Sequence, residues 1–164
     1  MSVQVLVAAS ALDQGVAAAD AVLERLAARA RPVLGIATGS SPLPLYEQLA
    51  RRARELPQLR GFALDEYLGL PAGHPQSYRE VVRREVVEPL GLDPARIHVP
   101  DGGAPDPEHA AAAYEELIRA AGGIDVQVLG IGGNGHLAFN EPGSALDSRT
   151  RVVELTAGTR EANA

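Results

Sequence analysis

At 164 residues, 46% of them apolar, the chain is long enough to bury a hydrophobic core as one domain, and its composition speaks against wholesale disorder. The 15 basic and 21 acidic residues leave a net charge of -6 with no basic block, so nucleic acid is not an expected partner. Every basic residue is arginine and cysteine is absent, which excludes Schiff-base lysine chemistry, disulfides, thiolate metal sites and a cysteine nucleophile.

In chain order, Val3 to Ala8 predicts a first strand. It is too short for a membrane span and lacks the basic flank of a signal peptide, so no membrane partner and a cytoplasmic location are expected. From about Asp13 the apolar positions Val16, Ala19, Leu23, Leu26 and Ala30 recur at helical spacing until Pro32. Val33 to Ala37 reads as a buried strand. Thr38-Gly39-Ser40-Ser41-Pro42 then turns into a helix carrying Leu45, Leu49 and Ala53, with Ser41 as its cap and Pro42 as its first residue. A strand, a hydroxyl-rich turn and a helix N-terminus together form an anion cradle, although an ordinary cap would look the same; without Gly-Lys it is not a Walker loop.

Gly61 to Leu64 predicts a third strand ending in Asp65-Glu66-Tyr67. Adjacent carboxylates here are either a solvated turn or, if the strands run parallel, a catalytic carboxylate at the same sheet edge as the Ser40 turn. Ser77-Tyr78-Arg79-Glu80 has the form of a capping box before a helix with Val81, Val82 and Val86. Ile97 to Val99 predicts a strand, and His98 and His109 read as solvated. Asp106-Pro107 opens a helix through Tyr114, Leu117 and Ile118 that stops at Gly122-Gly123. Ile124 to Leu129 predicts a buried strand, and Arg151 to Leu155 alternates like another. This β-α alternation, without internal repeats or linkers, predicts an α/β fold with a mainly parallel sheet and helices on both faces.

Between those last two strands lies Gly130 to Ser144, reading GIGGNGHLAFNEPGS, which places Asn134, His136, Asn140 and Glu141 in one glycine-rich loop at a strand's carboxyl end. Gly130, Gly132 and Gly135 also satisfy a dinucleotide fingerprint, with Glu154 near the ribose-binding position. That reading requires a helix opening at the third glycine, and Pro142-Gly143 with no apolar stripe argue against one.

Four segments together resemble the glucosamine-6-phosphate deaminase family: Ala37-Thr38-Gly39-Ser40-Ser41-Pro42, Leu64-Asp65-Glu66-Tyr67-Leu68-Gly69-Leu70, His74-Pro75-Gln76-Ser77-Tyr78, and Gly132 through Pro142. The resemblance covers nearly the whole chain. It implies a modified Rossmann-like α/β fold, and conversion of glucosamine 6-phosphate and water to fructose 6-phosphate and ammonia in amino-sugar catabolism. No metal and no organic cofactor is implied. The reaction is grouped here with hydrolases as well as with deaminases and isomerases. The related 6-phosphogluconolactonases share a Gly-His loop that does not continue as Ala-Phe-Asn-Glu-Pro; a lactonase-like enzyme and a non-catalytic sugar-phosphate sensor are the alternatives.

By resemblance Asp65 is the base of the aldose-to-ketose shift, His136 serves ring opening, and Glu141 orients or charge-stabilises the imidazole. Asn134 stands where many family members carry an acid. Thr38, Gly39, Ser40 and Ser41 would hold the substrate phosphate. Ser144 and Arg151 match residues that bind N-acetylglucosamine 6-phosphate in regulated members, whereas Ala145 and Val153 replace polar partners, which speaks against allosteric control. The expected partner is a small sugar phosphate, with a homo-oligomer as the further expectation. Since the family's sequences continue past the position of Ala164, residues 1–164 are expected to be the amino-terminal portion of a single sugar-phosphate isomerase/deaminase domain, with the cationic phosphate clamp beyond them and Arg160 the cation left within reach.

Overall fold

The structure, a computed structural model, describes residues 3–162. Strands β1 (Val33–Ile36), β2 (Arg60–Ala63), β3 (Ile97–His98) and β4 (Val126–Gln127) form one sheet in the order β3-β2-β1-β4. All of its pairings are parallel; Gly35 of β1 faces Phe62 of β2 on one side and Gln127 of β4 on the other. Helices α1 (Ala11–Leu26), α2 (Leu43–Arg51), α3 (Tyr78–Val82), α4 (Glu88–Leu90), α5 (Pro107–Ala120) and α6 (Ala157–Ala162) complete it, with a π turn over Arg83–Val87 joining α3 to α4.

The strand period of two explains how both faces become covered. Leu34 and Ile36 point into the main core with Leu23 and Leu26 of α1, Leu49 of α2 and Val82 of α3. Val33 and Phe62 point the other way, onto Tyr114 of α5, with Ile118 packed beside them. The Tyr114 hydroxyl lies 2.8 Å from the Ala63 carbonyl oxygen and 3.1 Å from that of His98, which holds α5 across the carboxyl ends of β2 and β3. Among the described residues no helix is long and apolar enough to cross a membrane.

Several sequence expectations are corrected by this architecture. Val3 to Ala8 is not a strand: no strand of the sheet pairs with it, and Val3 and Val7 stand 90% and 94% exposed. Arg151 to Leu155 likewise joins no strand of the sheet, and the Arg151 guanidinium is bonded to the preceding loop. Apolar or alternating residues signal a strand only where a neighbouring edge accepts their backbone groups. The α1 helix starts two residues earlier than expected, because Ser10 accepts from the Asp13 amide, and it ends at Leu26, leaving Ala30 outside and Val16 exposed. The strand expected over Ile124 to Leu129 contracts to Val126–Gln127. His98 is not solvated but stacks on Phe62 at 4.8 Å, and burial lowers its pKa.

Candidate active site

Because β1, β2 and β4 are parallel, their carboxyl ends lie along one edge and deliver the Thr38–Ser41 turn, Asp65 and the Gly130–Ser144 loop to it. At the first of these, the buried Tyr46 hydroxyl accepts from the Ala37 amide (3.0 Å) and donates to the Ala37 carbonyl (2.7 Å), fixing where β1 gives way to the turn. Thr38 is half-buried, while Gly39, Ser40 and Ser41 are exposed. The expected Ser41 cap is corrected: Pro42, whose side chain has no acceptor to offer, occupies the N-cap of α2. The Ser41 hydroxyl is therefore not engaged in capping.

Asp65 follows β2 as a half-buried residue. Desolvation, with a smaller contribution from the Glu66 charge, pushes its carboxyl up to about 7. Glu66 is not a solvated neighbour. Its Oε1 accepts from the amides of Tyr67 and Tyr78, both at 2.8 Å, and its Oε2 accepts from the Arg79 amide at 2.9 Å, so it tethers this turn to the start of α3. The Ser77 hydroxyl completes the helix start by accepting from the Glu80 amide. Glu80 itself pairs with Arg83 rather than reaching back, so only half of the capping box forms.

Above Asp65 the rings of Tyr67, Tyr78 and Phe139 gather at centroid separations of 4.9 to 5.9 Å, and the two phenol oxygens lie 3.2 Å apart. A cavity of about 620 Å³ opens beside them, lined among others by Asp65, Phe139, Glu141, Ser144 and Arg151. Asn134, His136 and the Thr38–Ser41 turn lie outside that lining. The predicted residues thus share a sheet edge but do not all face one enclosed volume.

The imidazole is oriented through a relay. Asn134 Oδ1 accepts from the His136 amide (3.0 Å) and lies 2.7 Å from its Nδ1, while Asn134 Nδ2 donates to Glu141 Oε2 (2.6 Å). A carboxylate can only accept, so it fixes which way the amide points; the amide oxygen then requires a proton on Nδ1. In the neutral imidazole this leaves Nε2 as the acceptor. The hydrogen-bonded link from Glu141 to the ring runs through Asn134. The Thr159 hydroxyl, the Thr156 amide and the Asn134 side chain hold its carboxyl down at about 2, Thr156 sitting directly before α6.

Gly132 is needed for close approach: a Cβ there would lie 2.1 Å from His136 Cε1, so the ring occupies space that any other residue would fill. Ala138 has φ 52, an uncommon conformation for a non-glycine residue, within the turn that presents Phe139. Arg151 bridges the Asn140 side-chain oxygen (2.9 Å), Ser148 Oγ (2.9 Å) and Ser144 Oγ (3.2 Å), tying Ser144 and Arg151 into one internal network. The Arg160 guanidinium donates to the Leu155 carbonyl. No helix follows Gly135, so the context that a dinucleotide fingerprint requires is not formed.

Sequence reasoning missed Glu66 as a helix tether, the Tyr46 clamp, the aromatic trio and the Thr156–Thr159 contacts to Glu141. Glu66 and Tyr46 act on backbone groups, which leave no pattern in a sequence. Thr156 three residues before Thr159 did offer a legible helix-start signal.

A parallel α/β sheet that gathers a half-buried carboxyl, an ordered imidazole and a hydroxyl-rich turn at its carboxyl edge belongs to the Rossmann-like proteins that handle small polar ligands there. The chain belongs to the family of glucosamine-6-phosphate isomerases and 6-phosphogluconolactonases, whose sequence profile matches residues 6–161. It is 53% identical over 154 residues to a glucosamine-6-phosphate deaminase of Arthrobacter sp. (strain FB24), covering 92% of this chain and 59% of that protein. It is 54% identical over 151 residues to one from Cutibacterium acnes, with coverages of 90% and 58%. The chain thus spans just under three fifths of the length of these relatives.

Among solved structures, a monomeric glucosamine-6-phosphate deaminase superposes with a TM-score of 0.92 at 36% identity, covering 98% of this chain and 68% of that one. A 6-phosphogluconolactonase from Thermotoga maritima follows at 0.70 and 27%, with coverages of 82% and 62%. The modified Rossmann-like fold is that of the first of these. Grouping the reaction with hydrolases is corrected: the relatives are named for deamination and the family for isomerisation.

Proposed function

We propose that this chain carries the catalytic groups of a glucosamine-6-phosphate deaminase, which converts glucosamine 6-phosphate and water to fructose 6-phosphate and ammonia. The observation that carries the reading is a carboxyl held at about 7 at the end of β2, beside the loop that orders His136. A base works best when its pKa lies near the operating pH. In the ring-opened sugar, Asp65 takes the proton from the amine-bearing carbon while the substrate's ammonium gives a proton to the aldehyde oxygen, forming an enolamine; Asp65 then returns its proton to the former aldehyde carbon, leaving an iminium at the amine-bearing carbon. Water adds to that iminium and ammonia departs. His136 Nε2, left as the acceptor, takes the anomeric hydroxyl proton and passes it to the ring oxygen. Asn134 fixes the tautomer, Glu141 fixes Asn134, and the Thr38–Ser41 turn holds the phosphate with its amides and hydroxyls.

The substrate on this reading is a small cytoplasmic sugar phosphate. Ser144 and Arg151 act as a strut for Asn140, which accounts for them without an allosteric ligand. Ammonia release from glucosamine 6-phosphate, measured beside hydrolysis of 6-phosphogluconolactone, tests the assignment. Ammonia release that falls ~10²-fold or more in Asp65→Asn is expected; lactone hydrolysis without ammonia release would overturn it.

A further inference from the structure

The Asp65–Glu66 pair has a feature that the isomerisation chemistry above leaves unused. Glu66 accepts hydrogen bonds from the Tyr67, Tyr78 and Arg79 amides, so its carboxylate is held in one place rather than swinging into solvent. Two of those donors belong to α3, the element that carries Tyr78 into the aromatic trio with Tyr67 and Phe139. We infer that Glu66 is a positioning residue for Asp65: it locks the Asp65–Tyr67 turn onto the first turn of α3 and keeps a fixed negative charge next to the base. The inference rests on the proposed role of Asp65.

The other groups around Asp65 leave this charge role to Glu66. Tyr78 on α3 and Tyr114 on α5 both feel the Asp65 charge and have their hydroxyl pKa values raised, chiefly by burial, so they face it as neutral phenols. Arg79 acts on Tyr114. Asp101, Glu115, Glu141, Arg149 and Arg151 share the cavity, but burial and then Glu66 are what raise the Asp65 carboxyl. Glu66 therefore works with burial, and its removal releases Asp65 toward the ordinary carboxylate range.

The test compares wild type with Glu66→Gln by two readouts. One is the pH dependence of kcat/KM for ammonia release. The other is the titration of the Asp65 side-chain carboxyl, followed by ¹³C NMR with Asp65→Asn as the assignment control. In Glu66→Gln both midpoints are expected to move to lower pH by roughly 0.5 to 1 pH unit, the scale for two unit charges on adjacent side chains. An Asp65 titration that stays where it is in the wild type would overturn the inference.

Because the titration needs no turnover, it separates this inference from the functional reading. A protein that releases no ammonia but whose Asp65 midpoint moves would reject the deaminase assignment and uphold the link between the two carboxylates. Glu66→Asp keeps the charge and is one methylene too short for the α3 amides, so it decides the case should Glu66→Gln not fold. It is expected to hold the Asp65 midpoint and lower kcat ~10- to 100-fold, the scale of a misplaced catalytic group. Wild-type kcat in Glu66→Asp would overturn the positional part of the inference.

Discussion

Replacing Asp65 with asparagine should make the protein more stable at alkaline pH and nearly inactive at every pH. The folded-state carboxyl lies at about 7 against an ordinary value of 3.8, so its pKa is raised by folding. Between those limits the folded protein keeps a proton that the unfolded chain has released. Stability therefore falls as pH rises through the window, and is flat below and above it. At ~1.4 kcal/mol per pH unit the whole window amounts to ~4 kcal/mol, and water reaching the half-buried side chain brings this to ~2–4 kcal/mol. Asparagine does not titrate. Urea unfolding of both proteins at about pH 4 and about pH 8 should therefore give similar stabilities at the lower pH and an advantage of ~2–4 kcal/mol for Asp65→Asn at the higher. Ammonia release by the variant should fall by ~10²-fold or more. In the wild type, kcat/KM should rise with pH through about 7 as the base ionises. A stability difference that does not change with pH would refute the claim that folding holds a proton on Asp65.

The remaining expectations concern the groups around it. His136→Gln should slow turnover of the cyclic substrate more than that of an analogue locked in the open-chain form; equal losses on both would contradict a ring-opening role. Gly132→Ala sets a methyl group in the space of the imidazole, so turnover should drop ~10- to 100-fold with little change in urea midpoint, and an unchanged rate would show that the ring has another resting place. Tyr46→Phe leaves the Ala37 amide and carbonyl without their buried partner and should destabilise by ~1–3 kcal/mol while raising KM more than it lowers kcat. Thermal unfolding and steady-state kinetics check both parts.

What was legible in the sequence divides along a physical line. The Thr38–Ser41 turn, Asp65 and the Asn134–Glu141 loop were readable because each follows an apolar run and concentrates residues of unusual backbone or acid–base character. Their convergence followed once the strands proved parallel. Element boundaries depended on pairing and packing that no local pattern encodes. Val3 to Ala8 has the composition of a strand and no ladder, and Val16 keeps helical spacing yet faces solvent. The π turn at Arg83–Val87 interrupts what read as one continuous valine-bearing helix. Glu66 was legible as chemistry but not as architecture, because its partners are amides from a helix that starts twelve residues further on.

Asp65 and Glu141 are shifted from the ordinary carboxylate range in opposite directions, by opposite means. Asp65 is desolvated beside a like charge, and its proton is held to about 7. Glu141 collects hydrogen bonds from Thr159, Thr156 and Asn134, and remains ionised down to about 2. One is therefore poised to exchange a proton near neutrality, while the other supplies an unchanging acceptor. Asn134 between Glu141 and His136 follows from that division. An aspartate at this position would set a second carboxylate about as near to Glu141 Oε2 as the Asn134 Nδ2 is now, 2.6 Å, and two anions that close must share a proton. The amide donates there instead. It passes the orientation of Glu141 to the imidazole without adding charge, and that is enough to fix the proton on Nδ1 and leave Nε2 free to accept one.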